Sequence, residues 1–143
     1  MEKINRLLKD KQNDSSGESD IKIAKILEVC DSAPKNDVEL QQQKKVFENF
    51  ASDNGRDNGQ VQVGLASIEQ EYQSCLEVRS LVSGKTAYDY YKYAADAGQP
   101  IAKVNLATRI APPNYDSFSK ENKTEYQQKM GKLLNEAREK CEP

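Results

Sequence analysis

A chain of 143 residues, 36% apolar and 31% charged, fits one compact domain with a modest core and a well-hydrated surface. The formal charge of −2 comes from 21 basic and 23 acidic side chains that are interspersed, so no basic stripe for nucleic acid is predicted. The absence of histidine excludes the commonest general base, histidine-activated nucleophiles and the usual zinc ligand. We predict no catalytic residue, no cofactor, no metal site and, because no apolar run is long enough, no membrane span.

The N-terminal segment combines a short helix with a polar leader. Residues 2–11 have an apolar side at helical spacing, and residues 12–19 (QNDSSGES) have the composition of a linker. We therefore predict an N-terminal helix with a flexible leader over residues 1–19 and a single helical domain over residues 20–143. No long apolar run marks a secretory signal. Two interpretations stay open: a cytosolic protein, or a periplasmic or secreted one whose signal has been removed. We favour the second.

Two helices and a glycine-rich break follow. Ser19 and Asp20 are N-cap candidates for a helix that ends before Pro34, and the next helix is predicted to begin near Asp37. The stretch SDNGRDNGQVQVG, residues 52–64, contains two Asn-Gly pairs, which are typical of tight turns. We predict a mobile loop here, with a small β-hairpin as the alternative.

The second half of the chain returns to a helical pattern. One helix is predicted over residues 65–81, ended by Ser83 and Gly84, and a final helix over residues 119–141, which Gly131 weakens. The predicted fold is therefore all-α, with five or six helices arranged as antiparallel hairpins and at most one small β-hairpin.

The three cysteines, Cys30, Cys75 and Cys141, are widely spaced and form no CxxC, so neither a zinc ribbon nor a thioredoxin-like motif is predicted. Cys30 and Cys75 lie in strongly patterned segments, whereas Cys141 lies two residues from the end. If a disulfide forms, we expect it to join Cys30 and Cys75. Three reduced thiols in a reducing compartment are the alternative, which the spacing leaves open.

The most distinctive segment is TAYDYYKYAADAGQPIAKVNLA, residues 86–107. Small and aromatic residues recur there at the spacing of one helix face, and Gly98 followed by Pro100 predicts a turn into a second helix. This predicts a helix pair over residues 86–111 that is packed through small side chains. The residues predicted to form its seam are Ala87, Tyr90, Tyr91, Ala94, Ala95, Gly98, Ala102 and Leu106.

The other side of the first of these helices carries Tyr88, Lys92 and Asp96. Tyrosine is enriched at interface hot spots, because it combines a large apolar ring with a polar hydroxyl. These three residues are our candidates for contact with a partner protein.

The spacing in residues 87–107 resembles one Sel1-like repeat, a relative of the tetratricopeptide repeats. The positions that match the family pattern are Ala87, Tyr90, Tyr91, Ala94, Ala95, Asp96, Gly98, Ala102 and Leu106. Ala107 departs from it, since the family prefers glycine there. The resemblance covers about 22 of the 143 residues. It implies a helical hairpin in a protein-interaction scaffold, and several bacterial members of the family are exported.

These observations predict a non-enzymatic protein-interaction module that binds another protein, and we favour an exported bacterial protein. Two alternatives stay open. One is an immunity or inhibitor protein that neutralises a toxin or enzyme. The other is a cytosolic structural or regulatory subunit that oligomerises through its final helix. The sequence identifies neither the partner nor the oligomeric state.

Overall fold

The computed structural model describes residues 2–141 of the chain and the side chains of residues 3–139. Within that part it contains seven α-helices, one short 3-10 helix and no strand. The elements are α1 Glu2–Asn13, α2 Glu18–Asp31, α3 Asp37–Asp53, α4 Asn58–Leu81, α5 Ala87–Asp96, α6 Pro100–Thr108, the 3-10 helix Tyr115–Ser117 and α7 Lys120–Cys141. The all-α prediction is confirmed. The described chain has seven α-helices where five or six were predicted.

The start of α2 differs from the prediction that Ser19 or Asp20 caps it. The helix begins at Glu18, whose backbone N–H donates to Ser16 Oγ at 3.2 Å. Gly17 has a φ of +89°, a backbone conformation that few other residues adopt, so the chain turns into the helix before Ser19 is reached. The predicted cap residues therefore lie in the first turn of α2.

The break between α3 and α4 is shorter than predicted. Asp57 Oδ1 accepts a hydrogen bond from the Gln60 backbone N–H at 2.8 Å, and the Asp57 N–H donates to Gln60 Oε1 at 3.3 Å. This reciprocal capping box starts α4 at Asn58, so the second Asn-Gly pair is helical. The loop predicted over residues 52–64 was wrong at residues 52–53, which belong to α3, and at residues 58–64, which belong to α4. The described chain forms no hairpin there.

Other helix ends lie where their sequence signals predicted them. Helix α2 ends at Asp31, α3 begins at Asp37 and α4 ends at Leu81. After α4 both Ser83 and Gly84 have positive φ, 55° and 76°, so the chain leaves the helix in left-handed backbone conformations.

The chain divides into two compact units, one of them formed by residues 28–84. In this unit α3 packs against α4, and the ring of Phe47 occupies the space where Gly64 has no Cβ. Its buried side chains include Cys30, Ala33, Leu40, Ala51, Tyr72, Cys75, Val78 and Val82. Several apolar side chains of α3 and α4 stay exposed, so this unit has a small core.

The second unit combines Glu2–Leu27 with the chain from Lys85 onward. Helix α5 packs on α6, and α6 packs on α7. From the N-terminal part, Ile4 and Leu7 of α1 and Ile23 and Ala24 of α2 are buried. The division into residues 1–19 and 20–143 that the sequence predicted stays a prediction.

Candidate interaction groove

The α5–α6 pair is held together by a seam of small residues and two tyrosines. Ala87, Tyr90, Tyr91, Ala94, Ala95, Ala102 and Leu106 are all buried. Gly98 has a φ of +98° and its N–H donates to the Ala95 carbonyl at 2.9 Å, which ends α5. At the other end, Thr86 and Asp89 form a capping box. Both ends of α5 are therefore fixed by local hydrogen bonds.

The two seam tyrosines are covered by the fold. Tyr91 has no exposed surface and Tyr90 is 2% exposed. Arg109 lies over the Tyr91 ring, 5.9 Å from its centroid, and one guanidinium nitrogen donates to the Tyr91 hydroxyl at 3.4 Å. Burial raises the pKa of the Tyr90 hydroxyl, since ionisation would place a charge in the core. Both side chains act in packing and offer no surface to a partner.

The candidate contact residues Tyr88, Lys92 and Asp96 line one groove of about 500 Å³. We call this the α5–α7 groove. Helix α6 contributes Lys103 and Leu106, and α7 contributes Tyr126, Lys129, Met130, Lys132, Leu133 and Glu136. Tyr88 is half-buried, while Lys92 and Asp96 are exposed. The structure thus brings together the three residues that the sequence proposed and adds two further helices around them.

The charges in the groove are mostly positive. Four lysines line it against two carboxylates, those of Asp96 and Glu136. Lys103 Nζ lies 3.3 Å from Glu136 Oε2 and pairs α6 with α7. Because the Glu136 side chain is 59% exposed, water screens this pair and it adds at most about 1 kcal/mol to stability.

Tyr126 of α7 lies between this groove and a neighbouring cavity of about 670 Å³, which Tyr88 also lines. Its ring centroid is 5.2 Å from that of Tyr115 and 6.3 Å from that of Phe118. Its hydroxyl donates at 3.5 Å to the carbonyl of Leu106, a long hydrogen bond. Burial is the main cause that raises the pKa of Tyr126. The two cavities therefore form a continuous surface around two tyrosines.

The lysines of α6 and α7 and the position of Tyr126 were not identified from the sequence as site residues. In the sequence, Tyr126, Met130 and Leu133 mark only an apolar stripe of the predicted final helix. Their position beside Tyr88 depends on how α7 packs on α6, which no local pattern encodes. The sequence signal for a basic site was that Lys129 and Lys132 lie three residues apart, on one face of the predicted final helix.

A second charged cluster fixes α1 and α2 beside α5. Lys11 Nζ lies 2.6 Å from Asp20 Oδ1 and 4.2 Å from the centroid of the Tyr93 ring. Lys85 approaches the same ring at 5.1 Å, and hydrogen bonding to Tyr93 is the first cause that raises the pKa of Lys85. Because Asp20 is buried and has a cation partner, this cluster is best explained as packing.

In the other unit, Cys30 and Cys75 lie at disulfide-bonding distance with their Cα atoms 5.5 Å apart, which is the pairing expected from the sequence. Both are buried beside Ala33. The Arg79 guanidinium donates to the carbonyls of Cys30 at 2.6 Å and of Pro34 at 3.1 Å. The end of α2 and the turn after it are therefore held to α4 by these hydrogen bonds as well as by the cysteine pair.

Comparison with family models, with curated proteins and with solved structures finds no match for this chain. The resemblance of residues 87–107 to a Sel1-like repeat therefore stays a prediction. Within the part of the chain that the structure describes, no helix is both long and apolar enough to cross a membrane.

Proposed function

We propose that this protein is a non-enzymatic interaction module and that the α5–α7 groove binds a segment of another protein. The observation that carries the proposal is the meeting of Tyr88, Lys92 and Asp96 with the exposed side of α7 in one open groove. A half-buried aromatic ring beside apolar side chains and surrounded by charged groups is the usual composition of an interface hot spot.

The rigidity of the α5–α6 pair supports this role. Its seam is buried, α5 is capped at its N-terminus, and Pro100 starts α6 with a fixed φ. A preformed surface loses little conformational entropy when a partner binds, so more of the contact energy appears as affinity.

The Sel1-like spacing of residues 87–107 supports the same proposal, since members of that family act mostly as protein-interaction scaffolds. The absence of histidine also favours binding over catalysis, because acid–base chemistry would have to depend on less versatile side chains.

The Cys30–Cys75 pair supports an oxidising compartment, and so an exported protein, as the place of this interaction. Structural disulfides persist in secreted and periplasmic proteins, whereas cytosolic thiols are kept reduced. Residues 28–84 have a small core of the kind that a disulfide helps to stabilise.

A photo-crosslinking experiment tests the binding surface. A benzophenone amino acid replaces Tyr88 in one variant and the exposed Val63, on the other unit, in a matched control. We expect a discrete adduct from position 88 alone in extracts of the source cell. The purified partner should then bind the unmodified protein, and Tyr88→Ala should weaken that binding. Equal adducts from both positions, or a partner that binds Tyr88→Ala as tightly, would contradict the proposal.

A further inference from the structure

The α5–α7 groove carries positive charge that the fold does not neutralise. Lys92, Lys129 and Lys132 are exposed, and none of them forms an ion pair with another described residue. Lys103, by contrast, is paired with Glu136. The whole chain has a charge of −2, so this local excess is not a consequence of a basic composition.

The surface beneath these lysines is apolar and aromatic. Leu106 is buried at its base, while Met130 and Leu133 of α7 and the ring of Tyr126 are half-buried along it. Such a combination suits a segment with apolar side chains on one side and acidic side chains at its edges. It suits a uniformly charged ligand less well, since the apolar base would stay uncovered.

We infer that the segment bound in this groove is acidic. The inference rests on the interaction role proposed above and adds the chemistry of the partner. The partner's Asp or Glu side chains meet Lys92, Lys129 and Lys132, and an aromatic or aliphatic side chain contacts Tyr88 and Leu133. Complementary charge of this kind speeds association and selects among partners more than it adds to affinity.

The carboxylates of the groove favour a protein over a nucleic acid. Asp96 and Glu136 line it, and Glu125 lines the adjoining cavity. They would repel a continuous phosphate backbone. Affinity for nucleic acid grows with the number of phosphates neutralised, and three lysines neutralise few. Because Asp96 is exposed, it can pair with one basic side chain of a protein partner that is otherwise acidic.

Selection of peptides by the full-length protein tests the inference. A displayed library of random short peptides is enriched on the protein, and the Kd of each selected peptide is measured by fluorescence anisotropy at low and at physiological salt. We expect net acidic peptides with an aromatic or aliphatic residue. Lys129→Gln with Lys132→Gln should weaken the binding of these peptides about three- to thirtyfold and make that binding less dependent on salt.

A matched control separates a local effect from a change in overall charge. Lys22 and Lys25 have the same spacing on one helix, are exposed, and lie outside the groove in the same unit. Lys22→Gln with Lys25→Gln makes the same change in net charge and should leave the affinity unchanged. All four lysines are exposed, so circular dichroism should show both double variants folded.

Other outcomes would overturn the inference in distinguishable ways. Neutral peptides that need Tyr88 but not Lys129 and Lys132 would reject an acidic partner and leave the interaction role in place. Peptides that bind Tyr88→Ala as tightly as the wild type, or no enrichment at all, would reject both the acidic partner and the interaction role. Lysine-dependent binding of a single-stranded oligonucleotide as tight as that of the peptides would identify a nucleic-acid site instead. A dimer that Lys129→Gln with Lys132→Gln dissociates would identify a second copy of the chain as the occupant.

Discussion

Gly17 lies against Ala94, and this contact joins the turn before α2 to α5. A Cβ at Gly17 would lie 3.0 Å from the Ala94 Cα and 3.2 Å from its carbonyl oxygen. Beside it, the Ser16 carbonyl accepts a hydrogen bond from Gln99 Nε2 at 2.8 Å. The segment whose composition predicted a flexible leader therefore contacts the helix pair that lines the candidate groove.

Gly17→Ala should destabilise the protein. At a φ of +89° any side chain is strained by about 1–3 kcal/mol, and the new methyl group also collides with the Ala94 backbone. We expect a lower melting temperature by calorimetry. Gly55 provides the control: its φ is +67°, yet its Cβ position is open, so Gly55→Ala should show the backbone strain alone. Equal losses from both substitutions would contradict a close approach at Ala94.

Gly131→Ala should stabilise the protein by about 1 kcal/mol. Gly131 lies inside α7 with a helical backbone, and no neighbour lies within 4 Å of its Cβ position. Alanine therefore gains helix propensity without a steric cost. Urea denaturation should show a higher midpoint with an unchanged m-value. An unchanged or lower midpoint would mean that this stretch of α7 is not a regular exposed helix in solution.

Removal of the disulfide should destabilise the protein by about 2–4 kcal/mol, because it closes a loop with a sequence separation of 45. Cys30→Ser with Cys75→Ser should therefore lower the denaturation midpoint. Of the three cysteines in the sequence, only Cys141, whose side chain lies outside the described residues, should react with a thiol reagent under denaturing, non-reducing conditions. Cys141→Ser is the control, with no free thiol. Three reactive thiols in the wild-type protein, prepared without reductant, would contradict the pairing.

Lys11→Met should cost about 1–3 kcal/mol, since it leaves the Asp20 carboxylate buried without its cation. The Lys11 side chain is 30% exposed, which places the expected loss toward the lower end of this range. A double-mutant cycle with Asp20→Asn should give a favourable coupling energy between the two residues. Lys9→Met, at an exposed position of the same helix, should have little effect. A coupling energy near zero would show that water keeps the pair apart in solution.

Tyr90 should make the protein more sensitive to alkali. Its pKa is raised by burial above the unfolded value of 10.0, so the folded state favours the neutral hydroxyl. The contribution of Tyr90 to the free energy of unfolding is fully present below pH 10.0 and is lost as the pH rises through the pKa of the folded state. Tyr90→Phe should therefore lose less stability than the wild type between neutral and strongly alkaline pH. A loss of stability for Tyr90→Phe equal to that of the wild type over this pH range would contradict the effect of Tyr90.

Much of the helical framework could be predicted because its signals are local. Pro34 and Asp37 bound a turn, and Gly98 and Pro100 join two helices, through backbone preferences that operate within a few residues. The error at residues 52–64 has the same origin, since Asn-Gly favours tight turns in isolation. There the Asp57–Gln60 capping box outweighs it, because it satisfies backbone donors at the start of a long helix.

The sequence by itself determined the all-α fold, the α5–α6 pair and the separation of buried Tyr90 and Tyr91 from the more exposed Tyr88. Helical periodicity assigns side chains to faces, and small residues at that period mark the face that packs. Only the tertiary structure decided that Lys129 and Lys132 lie across a groove from Tyr88. The physical reason is that the rotation of α7 on α6 is fixed by packing between side chains far apart in sequence.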